Sequence, residues 1–166
     1  MGIDELDARL IRALCETPRA GVMELARQLG VARGTVQARL DKLQQRGVIS
    51  GFDPDLDLRA MGYDVLAFVG LEITQGRLND VCKHLREIPE VLELHSVTGP
   101  GDLHCRVVAR NNEHLQSVIS HILEVGGIDR TSTQIAMTEQ LRQRVLPLVE
   151  KVINDHPRRQ DSGTNP

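Results

Sequence analysis

The order of strands and helices after residue 63 constrains the fold more than any other feature of the sequence. Apolar and β-branched runs alternate there with stretches of helical periodicity, and glycine, proline and asparagine separate them. The pattern predicts strand 65–74, helix 77–88, strand 91–99, strand 102–110, helix 112–125 and strand 128–138. This βαββαβ order is typical of the ferredoxin-like plan, an antiparallel sheet with two helices on one face.

Two helices are predicted near the amino terminus, because apolar residues recur there every three or four positions. The first follows Asp4, a residue suited to cap a helix. It ends at Thr17 and Pro18, since the residue before a proline is disfavoured in helical geometry. The second covers about 22–29 and stops at Gly30.

A third helix is predicted over about 33–45, with Gly47 just past its end. The short apolar run 48–52, bounded by glycines, predicts a strand or wing.

The second and third helices have the features of a helix-turn-helix. Ala26 is small enough for the helices to cross closely, and Gly30 tolerates the positive φ of the turn. The exposed face of the third helix can then enter the major groove of double-stranded DNA. The alternative is a plain three-helix bundle. The candidate DNA-binding residues are Ala32, Arg33, Gly34, Thr35, Gln37, Ala38, Arg39, Lys42 and Arg46.

Charge is distributed unevenly along the chain, whose formal net charge is −3. Residues 17–51 carry six basic and two acidic side chains, whereas residues 52–166 carry 12 basic and 17 acidic ones. This basic island favours one anion-facing surface, although an ordinary solvated helix face has the same composition. Within it, Arg33 and Gln37 are predicted to read bases, and Arg39 and Lys42 to hold phosphates.

Composition excludes several classes of protein. Two phenylalanines, one tyrosine and no tryptophan argue against single-strand binders that stack bases on aromatic rings. No run of about 18 apolar residues and no basic, apolar leader occurs, so no membrane partner is expected and the expected location is cytoplasmic. Three distant cysteines argue against a disulfide framework or a zinc site. Motifs for phosphate loops, metalloproteases and serine hydrolases are absent, so neither enzyme activity nor a cofactor is expected.

The predicted fold class is α+β, with an N-terminal winged helix-turn-helix followed by a ferredoxin-like βαββαβ domain. The predicted boundaries are residues 1–52 for the DNA-binding domain, 53–63 for an Asp- and Pro-containing linker and 64–140 for the second domain. Residues 141–166 are expected to form a final helix over 141–154, broken or restarted at Pro147, and a disordered polar tail.

Three segments resemble the leucine-responsive/asparagine-responsive (Lrp/AsnC, feast/famine) transcription regulators. The family's winged helix-turn-helix resembles LDARLIRALCETPRAGVMELARQLGVARGTVQARLDKLQQRGVISGF. Its Gly-x-x-Asp hairpin and Thr-x-Thr strand resemble VTGPGDLHCRVV and IDRTSTQIAM, so the resemblance covers about residues 3–140. It implies a dimeric or octameric transcription factor whose ferredoxin-like domain assembles subunits and senses amino acids or related small molecules.

The sequence departs from the family pattern at both sites. Ala32 and Arg33 stand where members usually have a capping serine and often a proline. In the sensing hairpin, Gly101 replaces a frequent aromatic residue, and Pro100 lacks an amide proton. These differences leave the identity of the ligand open.

The sensing hairpin is predicted to turn at Pro100 and Gly101, so that Gly99 faces Asp102. Alternation then directs one set of side chains to the helices, Leu103, Cys105, Val107 and Ala109, and another to the opposite face, His95, Val97, His104 and Arg106. This half-apolar second face suits an interface between subunits of a homo-oligomer.

Asp102 is the predicted acceptor for the ammonium group of an amino-acid-like effector, with backbone and hydroxyl groups nearby as donors to its carboxylate. The alternative is that Asp102 closes a β-turn and that the threonines merely suit a strand. The candidate effector-binding residues are Thr98, Gly99, Pro100, Gly101, Asp102, Thr131, Ser132 and Thr133. His95 and His104 alone do not make a metal site, so no metal is predicted.

The leading functional hypothesis is therefore a sequence-specific transcription regulator that senses a small molecule. The alternatives are a ligand-independent architectural DNA-binding protein and an enzyme that uses His95, His104 or Cys105. A high ratio of specific to non-specific affinity separates the regulator from the architectural protein.

Overall fold

The structure is a computed structural model that describes residues 2–155, and in this range the chain divides into two compact units. Of the described residues, the first unit contains 2–54 together with 141–155, and the second contains 55–140. The predicted disordered tail from residue 156 lies outside the described residues. In chain order the elements are α1 (Glu5–Glu16), α2 (Val22–Leu29), α3 (Arg33–Gln45), β1 (Val65–Ile73), α4 (Leu78–Leu85), β2 (Val91–Ser96), β3 (Leu103–Ala109), α5 (Asn112–Leu123), β4 (Ile128–Ile135) and α6 (Leu146–Asp155).

Helix α1 begins where its sequence predicts, because Asp4 and Asp7 cap it reciprocally. The Asp7 amide donates to the Asp4 carboxylate at 2.8 Å, and the Asp4 amide donates to the Asp7 carboxylate at 3.2 Å. Both groups are among the amide donors that a helix start leaves without an intrahelical partner. At the other end the Thr17 hydroxyl donates to the Ala13 carbonyl at 2.7 Å, and Pro18 follows.

The turn between α2 and α3 has the conformation that the helix-turn-helix interpretation requires. Gly30 ends α2 with φ +68°, in the left-handed region. The Val31 amide then donates to the Ala26 carbonyl at 3.1 Å, which closes the end of α2. Helices α1, α2 and α3 enclose an apolar core, and α6 packs against α1. The fully buried side chains of this core include Leu10, Leu25, Val36 and Leu43.

Two sequence-based predictions in this unit are wrong. Residues 48–52 form no strand: the amides of Val48 and Ile49 both donate to the Leu43 carbonyl, at 2.9 and 3.2 Å, so they close the end of α3. Within residues 2–155 no strand precedes β1, so this segment has no ladder to join. The predicted start of the final helix at residue 141 is also wrong, whereas the predicted restart at Pro147 is confirmed. Helix α6 begins at Leu146, since Pro147 fits the first turn of a helix and disrupts an interior.

The second unit is a four-stranded antiparallel sheet in the order β2-β3-β1-β4, as the ferredoxin-like prediction requires. Helices α4 and α5 contribute Val81, Leu85, Val118 and other residues to a core against one face of this sheet. From β1 and β3 the same core receives the alternate residues Ala67, Val69, Leu71, Leu103, Cys105 and Val107. The predicted inward set of β3 is therefore confirmed.

The predicted two-residue turn of the β2–β3 hairpin is wrong by two positions. His95 pairs with His104, and the Val97 amide donates to the Asp102 carbonyl at 3.1 Å, so residues 98–101 form the loop and Gly99 does not face Asp102. The Asp102 amide donates to the Leu71 carbonyl of β1 at 2.8 Å, which fixes where β3 begins. A shift of two positions preserves the alternation, so each side chain remains on its predicted face.

Candidate functional site

The outer face of α3 combines small residues with cations. Its inner stripe is buried in the core of the first unit, which leaves the opposite face exposed to solvent. Of the predicted DNA-binding residues, those that lie exposed without an ion pair to any residue in the range 2–155 are Ala32, Arg33, Gly34, Thr35, Gln37, Ala38 and Lys42. Because Ala32 has no side-chain acceptor, the helix start lacks a capping hydrogen bond from its own N-cap side chain.

Arg33 and Lys42 make no hydrogen bond or ion pair with any residue in the described range 2–155. Gly34 and Ala38 lie on the exposed face between them and present almost no side chain. A helix of this kind lets its backbone approach a groove closely while its cations meet phosphate or base acceptors.

Gln37 is held by Asp41, one helical turn further along. The Gln37 side-chain amide donates to the Asp41 carboxylate at 2.8 Å, in an i,i+4 pair on the exposed surface. One of its two N–H donors is thereby engaged, and its carbonyl oxygen stays available as an acceptor. Asp41 was not among the predicted site residues, although the i,i+4 spacing in the sequence was the signal that could have found it.

The side chains of Arg39 and Arg46 do not lie on the exposed face of α3. They contact the amino-terminal end of the chain instead. Arg39 forms an ion pair with Asp4 and a second with Asp7, 2.7 Å between Nη1 and Oδ1, while Arg46 donates to the Gly2 carbonyl at 3.0 Å. Hydrogen bonds to the two carboxylates raise the pKa of Arg39 above its ordinary value. Burial alone would raise the pKa of Asp4, but hydrogen bonds from Arg39 and the Asp7 amide outweigh it and lower that pKa.

Asp102, in the second unit, already has a structural hydrogen bond. The Ile73 amide donates to its Oδ2 at 2.7 Å, at the point where the register of β1 and β4 shifts. Gly101, with φ +93°, lies so close to β1 that a Cβ there would be 3.2 Å from the Leu71 carbonyl oxygen. The hairpin is thus fastened to β1 by a backbone conformation that favours glycine and by a carboxylate.

Thr131, Ser132 and Thr133 lie on β4, on the other side of β1 from Asp102. Thr131 pairs with Leu71, and Ser132 pairs with Gly70. Directly paired residues share a face, so the two threonines lie on the face that carries the helices and Ser132 lies on the open face. The structure brings the hairpin and these residues to the same stretch of β1, with one strand, or roughly 10 Å, between them.

The open face of the sheet, which α4 and α5 leave uncovered, is partly apolar and partly charged. The Phe68 ring stacks on His104 with centroids 5.7 Å apart. Arg106 donates to Glu93 at 2.8 Å, which lowers the pKa of that carboxyl, and His95 adds a smaller effect in the same direction.

Within residues 2–155 no group of three or more His, Cys, Asp or Glu could hold a metal ion. No helix in that range is both long and apolar enough to span a membrane.

Models of two protein domains match most of the chain. The AsnC-type helix-turn-helix domain matches residues 3–44, and the Lrp/AsnC ligand binding domain matches residues 66–146. The chain belongs to the Lrp/AsnC family. The family and fold class that the sequence predicts are therefore confirmed, and the protein is a DNA-binding transcriptional regulator.

The sequence similarity to known regulators extends over nearly the whole length of those proteins. The HTH-type transcriptional regulator FL11 of Pyrococcus horikoshii is 30% identical over 146 residues, which are 88% of this chain and 97% of the relative. The regulatory protein AsnC of Haemophilus influenzae is 31% identical over 147 residues, 87% of this chain and 98% of the relative. Their names support a regulator rather than an enzyme, and they give no support to an architectural protein.

Solved structures of this family have the same fold. The structure of E. coli AsnC superimposes with a TM-score of 0.82 at 30% identity, over 89% of this chain and all of that one. A feast or famine regulatory protein from M. tuberculosis, complexed with L-methionine, has a TM-score of 0.77 at 27% identity, over 87% of this chain and 98% of that one.

Proposed function

We propose that this regulator reads double-stranded DNA with the exposed face of α3, assembles into a homodimer or larger oligomer, and binds an amino-acid-like effector at the 98–102 hairpin. The observation that carries the DNA-binding part is the pair Arg33 and Lys42, exposed on either side of Gly34 and Ala38 without a partner in the described chain. A DNA-binding regulator acts where the genome lies, which supports the predicted cytoplasmic location.

Arg33 and Gln37 are the residues that we assign to base edges. Arg33 lies at the start of α3, the end that enters the major groove in helix-turn-helix complexes. Gln37 lies one turn further along and, with its nitrogen held by Asp41, offers an oxygen to the amino group of adenine or cytosine. Lys42, further from the helix start, is assigned to phosphate.

Comparing Arg33→Ala with Lys42→Ala tests these assignments. Arg33→Ala should weaken binding to a selected operator by about 5- to 150-fold and relax the preference at one base pair. Lys42→Ala should weaken all duplexes alike and reduce the slope of log K against log salt by about one. Lys83→Ala, which removes an exposed cation of α4, is the control and should change neither quantity. Identical effects of the two α3 substitutions on operator and random DNA would contradict the assignments.

The open face of the sheet is our proposed subunit interface. Phe68 and His104 give it a stacked, partly apolar centre, and the Glu93–Arg106 pair gives it a polar margin, a composition that suits an interface. Phe68→Glu places a charge in that centre and should convert the full chain to a smaller species in sedimentation at micromolar concentration. Leu123→Glu, at an exposed position of α5, is the matched control and should sediment like the wild type. An unchanged Phe68→Glu assembly would contradict the proposed interface.

Two arrangements support the effector proposal. Asp102 uses Oδ2 for the Ile73 amide, and the second carboxylate oxygen has no hydrogen bond within residues 2–155, which leaves it as an acceptor for an ammonium group. The loop and the β4 hydroxyls meet the same stretch of β1, so the hydroxyl donors lie one strand, or roughly 10 Å, from the carboxylate, with Ser132 on the open face. The M. tuberculosis relative, complexed with L-methionine, supports an amino-acid-like ligand. Binding at a subunit contact would couple effector occupancy to assembly.

A further inference from the structure

The amino-terminal end of α1 holds α3 through a group of three charged side chains. Asp4 and Asp7 cap α1 reciprocally, and both of their carboxylates also accept from Nη1 of Arg39. Asp7 is 2% exposed and is the only buried polar or charged residue in the described part of the chain. A buried carboxylate requires a partner, and the partner here comes from the recognition helix.

We propose that Asp4, Asp7 and Arg39 form a clamp that sets the orientation of α3 on DNA, so that Arg39 is a positioning residue and not a phosphate contact. The proposal rests on the proposed function, in which the exposed face of α3 reads DNA. It reassigns a residue for which the sequence predicts a phosphate contact.

The clamp supplies a constraint that the apolar core does not. Val36, Leu40 and Leu43 form one narrow stripe along α3, which fixes how deeply the helix is buried. Arg39 lies beside this stripe, and Arg46, two turns further on, donates to the Gly2 carbonyl at 3.0 Å. These two attachments are roughly 10 Å apart along the helix axis, which is enough to fix its direction and its rotation.

Electrostatics also favour a positioning role for Arg39. Two carboxylates more than neutralise its charge, so the group as a whole does not attract a phosphate. To reach DNA, Arg39 would have to leave Asp7 as an unpaired charge whose side chain is only 4% exposed, which is strongly unfavourable. Lys42 has no such partner within residues 2–155, so the two cations should behave differently on DNA.

The test compares Arg39→Gln with Lys42→Gln in the full chain, on a selected operator and on a random duplex, at temperatures where circular dichroism shows each variant folded. Lys42→Gln should reduce the salt slope by about one and weaken both duplexes. Arg39→Gln should leave the salt slope unchanged, weaken operator binding by about tenfold and leave random-duplex binding within about twofold. Arg39→Lys, which keeps one charged donor for the clamp, should recover part of the loss.

Asp4→Asn keeps the test decisive if Arg39→Gln does not fold. Asparagine still caps α1 and leaves the Asp7–Arg39 pair in place, but removes one charge from the clamp. If Arg39 positions α3, this variant should bind the operator several-fold more weakly with an unchanged salt slope. If Arg39 contacts phosphate, releasing it should instead strengthen binding to both duplexes.

Failure of the clamp and failure of the proposed function give different results in these experiments. A salt slope reduced by about one in Arg39→Gln, or operator binding that Arg39→Gln leaves unchanged, would overturn the clamp while the effect of Lys42→Gln upholds α3 as the DNA-binding helix. If Lys42→Gln and Arg33→Ala both leave DNA binding unchanged, the proposed function itself fails.

Discussion

Replacing Asp102 with asparagine and with alanine separates two roles of one side chain. Its Oδ2 accepts from the Ile73 amide at 2.7 Å, which fastens the hairpin to β1. Asparagine retains an oxygen for that amide but carries no charge to attract an ammonium group, and alanine lacks both. We therefore expect Asp102→Asn to lose only the effector response, and Asp102→Ala to lose both the effector response and stability.

The expected changes in melting temperature follow from the loss of one hydrogen bond and from the binding of one ligand. A net contribution of about 1 kcal/mol for an exposed hydrogen bond lowers the melting temperature of a chain of this length by roughly 2–4 °C in Asp102→Ala. Asp102→Asn should melt within about 1 °C of the wild type, since its hydrogen bond is retained. An effector at 100 times its dissociation constant adds about 2.7 kcal/mol, or roughly 5–10 °C, to the wild type and nothing to either variant.

The assay is thermal unfolding with each of the twenty common amino acids, with Asp64→Asn as a control that removes an exposed acid elsewhere in the same unit. The control should respond like the wild type. An Asp102→Asn variant that still responds would show that this carboxylate does not hold the ammonium group. Equal destabilisation of the two Asp102 variants would refute the role of the Ile73 hydrogen bond, and a wild type that responds to no amino acid would refute the effector proposal.

Two further predictions concern the second unit. Gly101→Ala should lower the free energy of unfolding in urea by more than Gly99→Ala. Both positions have positive φ, so each substitution costs about 1 kcal/mol or more, but only at Gly101 would the added Cβ lie 3.2 Å from the Leu71 carbonyl oxygen. Equal losses would contradict this close approach. The ordinary pKa of Glu93 is 4.5, and hydrogen bonds from Arg106 and then from His95 lower this pKa in the folded chain. The stabilising effect of the Glu93 carboxylate is therefore complete above pH 4.5 and is lost as the pH falls through the lower pKa of the folded chain. Glu93→Gln should therefore be less sensitive to acid below about pH 4.5 in unfolding experiments, and an unchanged acid limb would contradict the assignment.

The helices near the amino terminus could be predicted closely, because their ends depend on local signals. Asp4, Thr17 and Gly30 each act on the backbone within four residues, through a cap, a hydroxyl or a positive φ. The order of the sheet elements was predictable for the same reason, since glycine and proline mark the turns between them.

The errors arise where partners distant in sequence decide the outcome. Residues 48–52 have the composition of a strand, but their amides close α3 and the first unit offers no second strand in the described range. The loop of the hairpin depends on the hydrogen bond from the Asp102 amide to Leu71, about 30 residues away in sequence.

The residues of the candidate site also differ in whether the sequence alone predicts their roles. An exposed cation such as Lys42 can be identified from the helical pattern alone, because nothing else in the described chain engages it. Arg39 has the same charge and a neighbouring position, but its role depends on the carboxylates of α1, more than 30 residues earlier. Periodicity identifies the flank of the helix on which Arg39 lies, and does not identify the acid that meets it there.

The ratio of affinities for a selected operator and for a random duplex of equal length, at one fixed salt concentration, tests most directly the claim that α3 reads DNA sequence. The wild type should prefer the operator by a factor of about 10³ or more, and a variant with Arg33→Ala and Gln37→Ala together should lose most of that preference while still binding random DNA. A ratio near one for the wild type, or an undiminished ratio for the double variant, would contradict the account.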